Sequence, residues 1–174
     1  MSAIQLILMK EMKMHKCTIL IGVPAAGKST WLDSNFRNME AGSVVASTDN
    51  IIQEIADRYG FTYNEVFKDA FMIADKVMAK RLAEAAERGV DIYVDRTNLS
   101  EKSRRQFINK LKKYDYTFDA VDFETPEKEE WERRLNNRPG KNIPSEVLIR
   151  MLDSYEMPLK SEGFENITFI KNNV

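Results

Sequence analysis

The segment Cys17-Thr-Ile-Leu-Ile-Gly22-Val-Pro-Ala-Ala-Gly27-Lys28-Ser29 joins a short apolar run to a glycine-rich loop. The apolar run is typical of a buried strand in a parallel sheet, and residues 28–36 have the pattern of a helix. Residues 22–29, called the phosphate loop below, fit the spacing G-x-x-x-x-G-K-[ST] of loops that bind nucleotide phosphates. The N–H groups of such a loop and of the helix that follows point inward and bind anions.

Each residue of the phosphate loop has a predicted role. Lys28 is expected to reach the β and γ oxygens of ATP or GTP, and the Ser29 hydroxyl to ligate Mg²⁺. The GTPase pattern Asn-Lys-x-Asp and the dinucleotide pattern G-x-G-x-x-G are absent, which argues against a switch protein and a nicotinamide enzyme. The predicted nucleotide-binding residues are Gly22, Pro24, Ala25, Ala26, Gly27, Lys28, Ser29 and Thr30.

Strand and helix patterns alternate along the rest of the chain. This order predicts an α/β fold of three layers, the P-loop NTPase type, with a mostly parallel central sheet and a helical lid. The loops at the carboxyl ends of the strands, 22–28, 46–49 and 95–98, should therefore meet at one site. The predicted strands are 17–22, 42–46, 91–95, 116–123 and 167–170, and the predicted helices are 28–36, 49–59, 64–88, 100–114, 125–137 and 144–155.

The longest predicted helix, 64–88, has apolar residues at steps of three and four. Such spacing places them on one face, and we expect that face to be buried in the core. The residues of this predicted stripe are Phe67, Phe71, Ala74, Met78, Leu82 and Ala85.

Composition limits the class of protein. The 174 residues carry a net charge of -1, which excludes a histone-like chain that holds nucleic acid by its total charge. We interpret residues 1–16 as an N-terminal extension and residues 17–174 as one domain. One cysteine, no leader peptide and no apolar stretch of about 20 residues predict a cytoplasmic protein without a membrane span.

Carboxylates follow two of the predicted strands. Asp49 is placed to orient an acceptor hydroxyl and take its proton, but it is equally compatible with a role in capping the next helix. Asp95 resembles the Walker-B carboxylate that supports Mg²⁺, and the alternative is a polar turn capped by Asn98.

Two groups of basic residues have alternative interpretations. Arg134 and Arg138 lie near a Pro-Gly loop, and a closing segment could bring them to a triphosphate. Glu129 and Glu130 stand four residues before Arg133 and Arg134, and from spacing alone surface ion pairs on a solvated helix are the favoured explanation. The second group could attract nucleic-acid phosphates or form a solvated helix face: Lys102, Arg104, Arg105, Lys110, Lys112 and Lys113.

Several segments together resemble the kinase domain of polynucleotide 5′-hydroxyl kinases of the phage end-healing type, which are P-loop phosphotransferases. The resemblance covers residues 17–170. Beyond the phosphate loop it is carried by Asp95-Arg-Thr-Asn-Leu99, by Arg134-Leu-Asn-Asn-Arg138 with Ile143-Pro144, and by Pro158-Leu-Lys-Ser-Glu-Gly-Phe164.

The resemblance implies Mg²⁺-dependent transfer of the γ-phosphate of ATP to the 5′-hydroxyl end of DNA or RNA, as in nucleic-acid repair, in the host cytoplasm if a phage encodes the chain. It implies that Asp49 is the general base, that Ser29 and Asp95 serve the metal, and that Arg96, Thr97 and Asn98 serve the acceptor with Asp49. The implied catalytic residues are Lys28, Asp49, Arg134 and Arg138.

One position departs from the family pattern. The family places an arginine three residues after the general base, where this chain has Ile52. A kinase for a nucleoside, nucleotide or sugar therefore remains an alternative. A nucleic-acid binding module with slow ATP turnover is a second alternative, although such a module needs neither Asp49 nor Arg138.

Overall fold

The computed structural model describes residues 14–172 and shows the predicted alternation of strands and helices. Strands β1 to β5 span His15–Ile21, Val44–Ala46, Ile92–Asp95, Tyr116–Phe123 and Asn166–Ile170. Helices α1 to α6 span Lys28–Asn35, Thr48–Tyr59, Tyr63–Glu87, Glu101–Leu111, Lys128–Asn136 and Ser145–Asp153. Short 3-10 turns occupy Phe36–Asn38, Lys112–Tyr114 and Lys160–Glu162.

The strands form one parallel sheet in the order β2-β3-β1-β4-β5. Buried side chains pack on both faces of β1. Ile19 belongs to the core under α2, α3 and α4, whereas Leu20 belongs to the core under α1 and α5. A central parallel strand covered on both faces is apolar throughout, as the sequence of β1 is. The three-layer α/β prediction is therefore confirmed.

The strand register brings the predicted site loops together. Leu20 of β1 pairs with Asp95 at the end of β3, and Ala46 at the end of β2 pairs with Val94. The loops that follow β1, β2 and β3 therefore leave the sheet at one edge, where ligands bind in sheets of this type.

Most element boundaries shift by one to three residues from the prediction, and two of these differences change an assignment. His15 and Lys16, which we assigned to the extension, belong to β1, while residues 1–13 lie outside the described residues. Helix α5 begins at Lys128 rather than near Pro126, because Glu124 still bonds to the neighbouring strand: its N–H donates to the Ile170 carbonyl, 2.9 Å away.

The predicted buried stripe on α3 is correct in its second half and wrong at its start. Ala74 and Met78 are buried, but Phe67 is 41% exposed and Phe71 is only partly buried. Tyr63 and Ala70 take the core positions on the first turns of the helix. Phe71 still packs against the core at its edge, whereas Phe67 is left for another surface.

Arg104 is not part of a basic helix face. Its side chain is completely buried, and its Nε and Nη2 donate to the two carboxylate oxygens of Glu162 at 2.8 and 2.7 Å. Its Nη1 donates to the carbonyls of Leu99 and Glu156, both at 2.9 Å. This buried pair ties α4 to the segment before β5, and removing one partner of such a pair typically costs about 3–5 kcal/mol.

The other residues of the basic group have exposed side chains. Arg105 pairs with Glu101 in the same helix, as the solvated-face interpretation predicts. None of the helices within residues 14–172 combines the length and apolarity needed to cross a membrane.

Candidate active site

A cavity of about 1120 Å³ opens where the loops leave the carboxyl edge of the sheet. Its volume lies slightly above the roughly 300–1,000 Å³ that is typical of a site for a small ligand. Most of the predicted site residues line it. These are Pro24, Ala25, Ala26, Gly27, Lys28, Ser29, Thr30, Asp49, Asp95, Arg96, Thr97, Arg134 and Arg138.

The phosphate loop has the conformation that its glycines predict. Gly22 has φ 154°, and a Cβ there would lie 3.1 Å from Cβ of Phe123, so a larger residue would strain the backbone and crowd Phe123. The Gly22 N–H donates to the Thr97 carbonyl at 2.9 Å, which fixes the loop to the end of β3. Gly22 therefore supports the loop from beneath and, unlike the rest of the set, does not line the cavity.

The side chain of Lys28 folds back onto the start of the phosphate loop. Its ammonium group donates to the carbonyls of Gly22 and Val23 at 2.8 and 2.9 Å. Burial lowers the pKa of Lys28 to about 8, against the opposing charges of Asp95 and Asp49 and with help from the Arg138 cation. The Lys28 ammonium in the cavity therefore loses its proton at a lower pH than an ordinary lysine does.

This labile proton predicts a pH dependence of nucleotide binding. A triphosphate beside Lys28 favours the charged form, so the pKa of Lys28 rises in the complex. Above about pH 8, the free protein must take up a proton to bind, and the affinity for MgATP should fall about tenfold per pH unit. Calorimetry at pH 9 in buffers of different ionisation enthalpy should detect uptake of nearly one proton, which Lys28→Met should abolish. Equal affinity at pH 7 and 9.5 would contradict the prediction.

Asp49 is not the cap of its helix. The N-cap of α2 is Ser47, whose hydroxyl accepts a hydrogen bond from the Asn50 N–H at 3.3 Å. Asp49 stands in the first turn with an exposed side chain that lines the cavity. Its Oδ1 accepts a hydrogen bond from the Tyr63 hydroxyl at 2.8 Å, and burial together with the Asp49 charge raises the pKa of Tyr63. The capping alternative for Asp49 is therefore removed.

Asp95 and Ser29 present oxygen atoms to the same cavity. Asp95 ends β3 and is half-buried, and burial raises the pKa of its carboxyl while the Lys28 cation opposes the rise. A carboxylate and a hydroxyl are hard oxygen donors of the kind that Mg²⁺ prefers when nucleotide phosphates complete its coordination. The residues present thus fit a magnesium–nucleotide site.

The two predicted arginines have different surroundings. Arg134 donates to Glu130 Oε1 at 2.5 Å and to Asn172 Oδ1 at 2.8 Å, with a longer contact to the Ala25 carbonyl. The predicted ion pair and the position beside the phosphate loop are thus both present. Arg138 lines the cavity half-buried, and no residue within 14–172 hydrogen-bonds to its side chain.

The structure does not bring every predicted acceptor residue into the cavity. Asn98 is buried with φ 47°, and its Nδ2 donates to the Leu20 carbonyl at 2.7 Å. Its side chain therefore joins the ends of β3 and β1 and does not contact an acceptor. It does not cap α4 either, because Ser100 is the N-cap. Arg96 reaches the cavity while paired with Asp75 of α3 at 3.0 Å.

Lys141 and the start of α3 complete one wall of the cavity, which the sequence did not indicate. The Lys141 ammonium lies 4.1 Å from the centre of the Tyr63 ring, and burial lowers the pKa of Lys141. The Asn64 N–H donates to the Gly140 carbonyl at 3.0 Å, which docks the loop after α5 on α3. These contacts join residues 76 or more positions apart, so no local pattern could reveal them.

Comparisons with known proteins agree with this geometry. A family described as "AAA domain" matches residues 18–158. The L-seryl-tRNA(Sec) kinase of Methanococcus maripaludis is 27% identical over 143 residues, which are 80% of this chain and 52% of that protein. The chain thus spans about half the length of that relative.

Two solved structures share the fold. The Pnkp1/Rnl/Hen1 RNA repair complex contains a chain that matches with a TM-score of 0.64 at 21% identity, over 83% of this chain and 46% of that one. Kti12 of Chaetomium thermophilum, solved with ADP-AlF3, matches with a TM-score of 0.60 at 16% identity, over 90% and 89% of the two chains.

Proposed function

The chain belongs to the AAA domain family of P-loop proteins, and we propose that it transfers the γ-phosphate of ATP to the 5′-hydroxyl of a polynucleotide. One observation carries the proposal: the Asp49 carboxylate, freed from capping by Ser47, lines the same cavity as Lys28 and Arg138. A carboxylate opposite a phosphate loop is what transfer to an alcohol requires. The relative named as a kinase supports the same class of reaction.

In the proposed reaction, Asp49 orients the acceptor hydroxyl and accepts its proton as the oxygen bonds to the γ-phosphorus. The bond between the γ-phosphorus and the bridging oxygen breaks, and ADP leaves. Lys28 and Arg138 neutralise the charge that spreads over the transferring group. Ser29 and Asp95 would hold Mg²⁺, which would supply further charge neutralisation to the transferring phosphate.

A polynucleotide acceptor is supported by the motifs at 95–99 and 134–138 and by the likeness in fold to a chain of an RNA repair complex. The L-seryl-tRNA(Sec) kinase also supports an acceptor that contains RNA, because the substrate in its name is an alcohol attached to RNA. DNA and RNA ends both satisfy the chemistry of the site.

One observation favours a small-molecule acceptor as the second candidate. Ile52 stands where the resemblance places an arginine for the acceptor's phosphate, and its side chain is completely buried in the core. It therefore offers an acceptor no contact. A nucleoside or sugar alcohol without a phosphate would not need that contact.

An acceptor panel tests the proposal. The protein is incubated with γ-labelled ATP and Mg²⁺ in separate reactions, each with one acceptor. The acceptors are a 5′-hydroxyl DNA oligonucleotide, a 5′-hydroxyl RNA oligonucleotide, the same oligonucleotides with a 5′-phosphate, a nucleoside and a sugar alcohol. We expect label on both 5′-hydroxyl oligonucleotides, none on the 5′-phosphate form, and none with Lys28→Met. Label on the nucleoside or sugar alone would replace the proposal by the second candidate, and ATP hydrolysis without a labelled acceptor would refute both.

A further inference from the structure

Three aromatic side chains form a strip along the cavity wall made by α3. Tyr63, Phe67 and Phe71 are four residues apart and so lie on one side of the helix. The ring centres of Tyr63 and Phe67 are 5.5 Å apart, and those of Phe67 and Phe71 are 5.6 Å apart. All three residues line the cavity, and together they are called the aromatic strip below.

Core packing does not account for Phe67, the middle ring of the aromatic strip. Tyr63 is 8% exposed and belongs to the core, and Phe71 is partly buried and packs against that core, but Phe67 is 41% exposed. A single exposed phenylalanine is ordinary, whereas adjacent aromatic rings open to a deep cavity mark a ligand-binding surface. The rings are held against one another, so little conformational entropy is lost when a flat ligand covers them.

The aromatic strip begins at the proposed reaction centre. The Tyr63 hydroxyl donates to Asp49 at 2.8 Å, so the first ring lies next to the group that would hold the acceptor hydroxyl. Phe67 follows one helical turn further, about 6 Å along the axis. That step is comparable to the span of a sugar between its 5′-oxygen and its base. The aromatic strip therefore lies where the base of an acceptor nucleotide would reach.

Another part of the cavity is suited to the donor. Arg134 is fixed beside the Ala25 carbonyl of the phosphate loop by Glu130 and Asn172. On the side of the aromatic strip, the Lys141 ammonium above the Tyr63 ring adds a positive charge. Aromatic faces next to a cation are the combination that binds single-stranded nucleic acid.

We propose that the aromatic strip binds the unpaired base of the acceptor's 5′-terminal nucleotide, with Phe67 as the main stacking surface. The inference rests on the proposed function and narrows its substrate to ends whose first base is free to leave a duplex. Stacking on a π-face accepts every base, so this subsite selects for a free base rather than for a sequence.

The test compares two single-stranded acceptors that differ only in the presence of the 5′-terminal base. One begins with adenosine and the other with an abasic nucleotide, so both carry the same hydroxyl and phosphates. The wild-type protein should prefer the first by at least about fivefold in kcat/KM. Phe67→Leu should reduce this preference to about one, whereas Phe67→Trp should retain it. Phe61→Leu is the matched control, because Phe61 is 54% exposed and does not line the cavity.

A readout without catalysis accompanies this comparison. A 5′-terminal 2-aminopurine should lose fluorescence on binding to the wild-type protein and to Phe61→Leu, but much less on binding to Phe67→Leu. Equal use of the two acceptors by the wild type, or an unchanged preference in Phe67→Leu, would overturn the inference and leave the 5′-kinase activity standing. Failure to phosphorylate any oligonucleotide would overturn the proposed function and this inference with it.

Discussion

Asp49→Asn is expected to lower the rate of phosphoryl transfer by about 10²- to 10⁴-fold, the usual contribution of a general base. The amide has the shape of the carboxylate and its Oδ1 can still accept the Tyr63 hydrogen bond, but it cannot take the acceptor's proton. The affinity for MgATP should change by less than about threefold, since the phosphates are bound by the loop at 22–29. Transfer from γ-labelled ATP and equilibrium binding of nucleotide measure the two effects separately.

Asp57→Asn is the matched control for this change. Asp57 lies on the same helix, loses the same charge, and is exposed outside the cavity with a hydrogen bond from Gln53 at 2.8 Å. Its variant should transfer phosphate at the normal rate. If Asp49→Asn also did so, Asp49 would be only a charge near the phosphate loop, and no general base would remain in the proposed mechanism.

The fold followed from the sequence because its main signals are local. An apolar run ending at Gly22 predicts a buried strand, the phosphate loop predicts a helix from Lys28, and the alternation of such units predicts a parallel sheet. The register of β1 with β3 then brings Gly22, Asp95 and the end of β2 to one edge. The position of the site followed from these units without knowledge of any long-range contact.

Errors arose where a side chain's role depends on a distant partner. Arg104 looked like one of several surface cations, but Glu162, 58 residues later, draws it into the core. The sequence placed Asn98 in a loop facing the acceptor, but its side chain instead donates a hydrogen bond to the carbonyl of Leu20 on another strand. In both cases a buried polar group left without a hydrogen-bond partner would lower the stability of the fold. The side chain therefore points toward the partner that satisfies it.

Phe67 shows a limit of helical periodicity. Steps of three and four place Phe67 and Phe71 on the face of Met78, but they do not reveal where the core ends along that face. The same face that belongs to the core at Met78 borders the cavity at Phe67. The amphipathic pattern thus predicted the helix correctly but assigned Phe67, which borders the cavity, to the core.

Arg138→Ala is expected to reduce kcat/KM for transfer by about 10³-fold or more, as for other arginines that neutralise a transferring phosphate. Within residues 14–172 no acidic side chain pairs with Arg138, so its guanidinium is available to a ligand at no cost in broken contacts. The effect should fall on the transition state: binding of ATP should change little, whereas binding of ADP with aluminium fluoride should weaken nearly as much as the rate.

The control for Arg138 is Arg133→Ala, because Arg133 is exposed on α5 and paired with Glu130, outside the cavity. A second readout checks that Arg138 acts within the cavity. Its cation lowers the pKa of Lys28, which is about 8, so Arg138→Ala should move the onset of weaker nucleotide binding to higher pH. An unchanged pH profile together with normal transfer would place Arg138 away from the phosphates, and the charge that develops during transfer would then have to be balanced by Lys28, Lys141 and the metal alone.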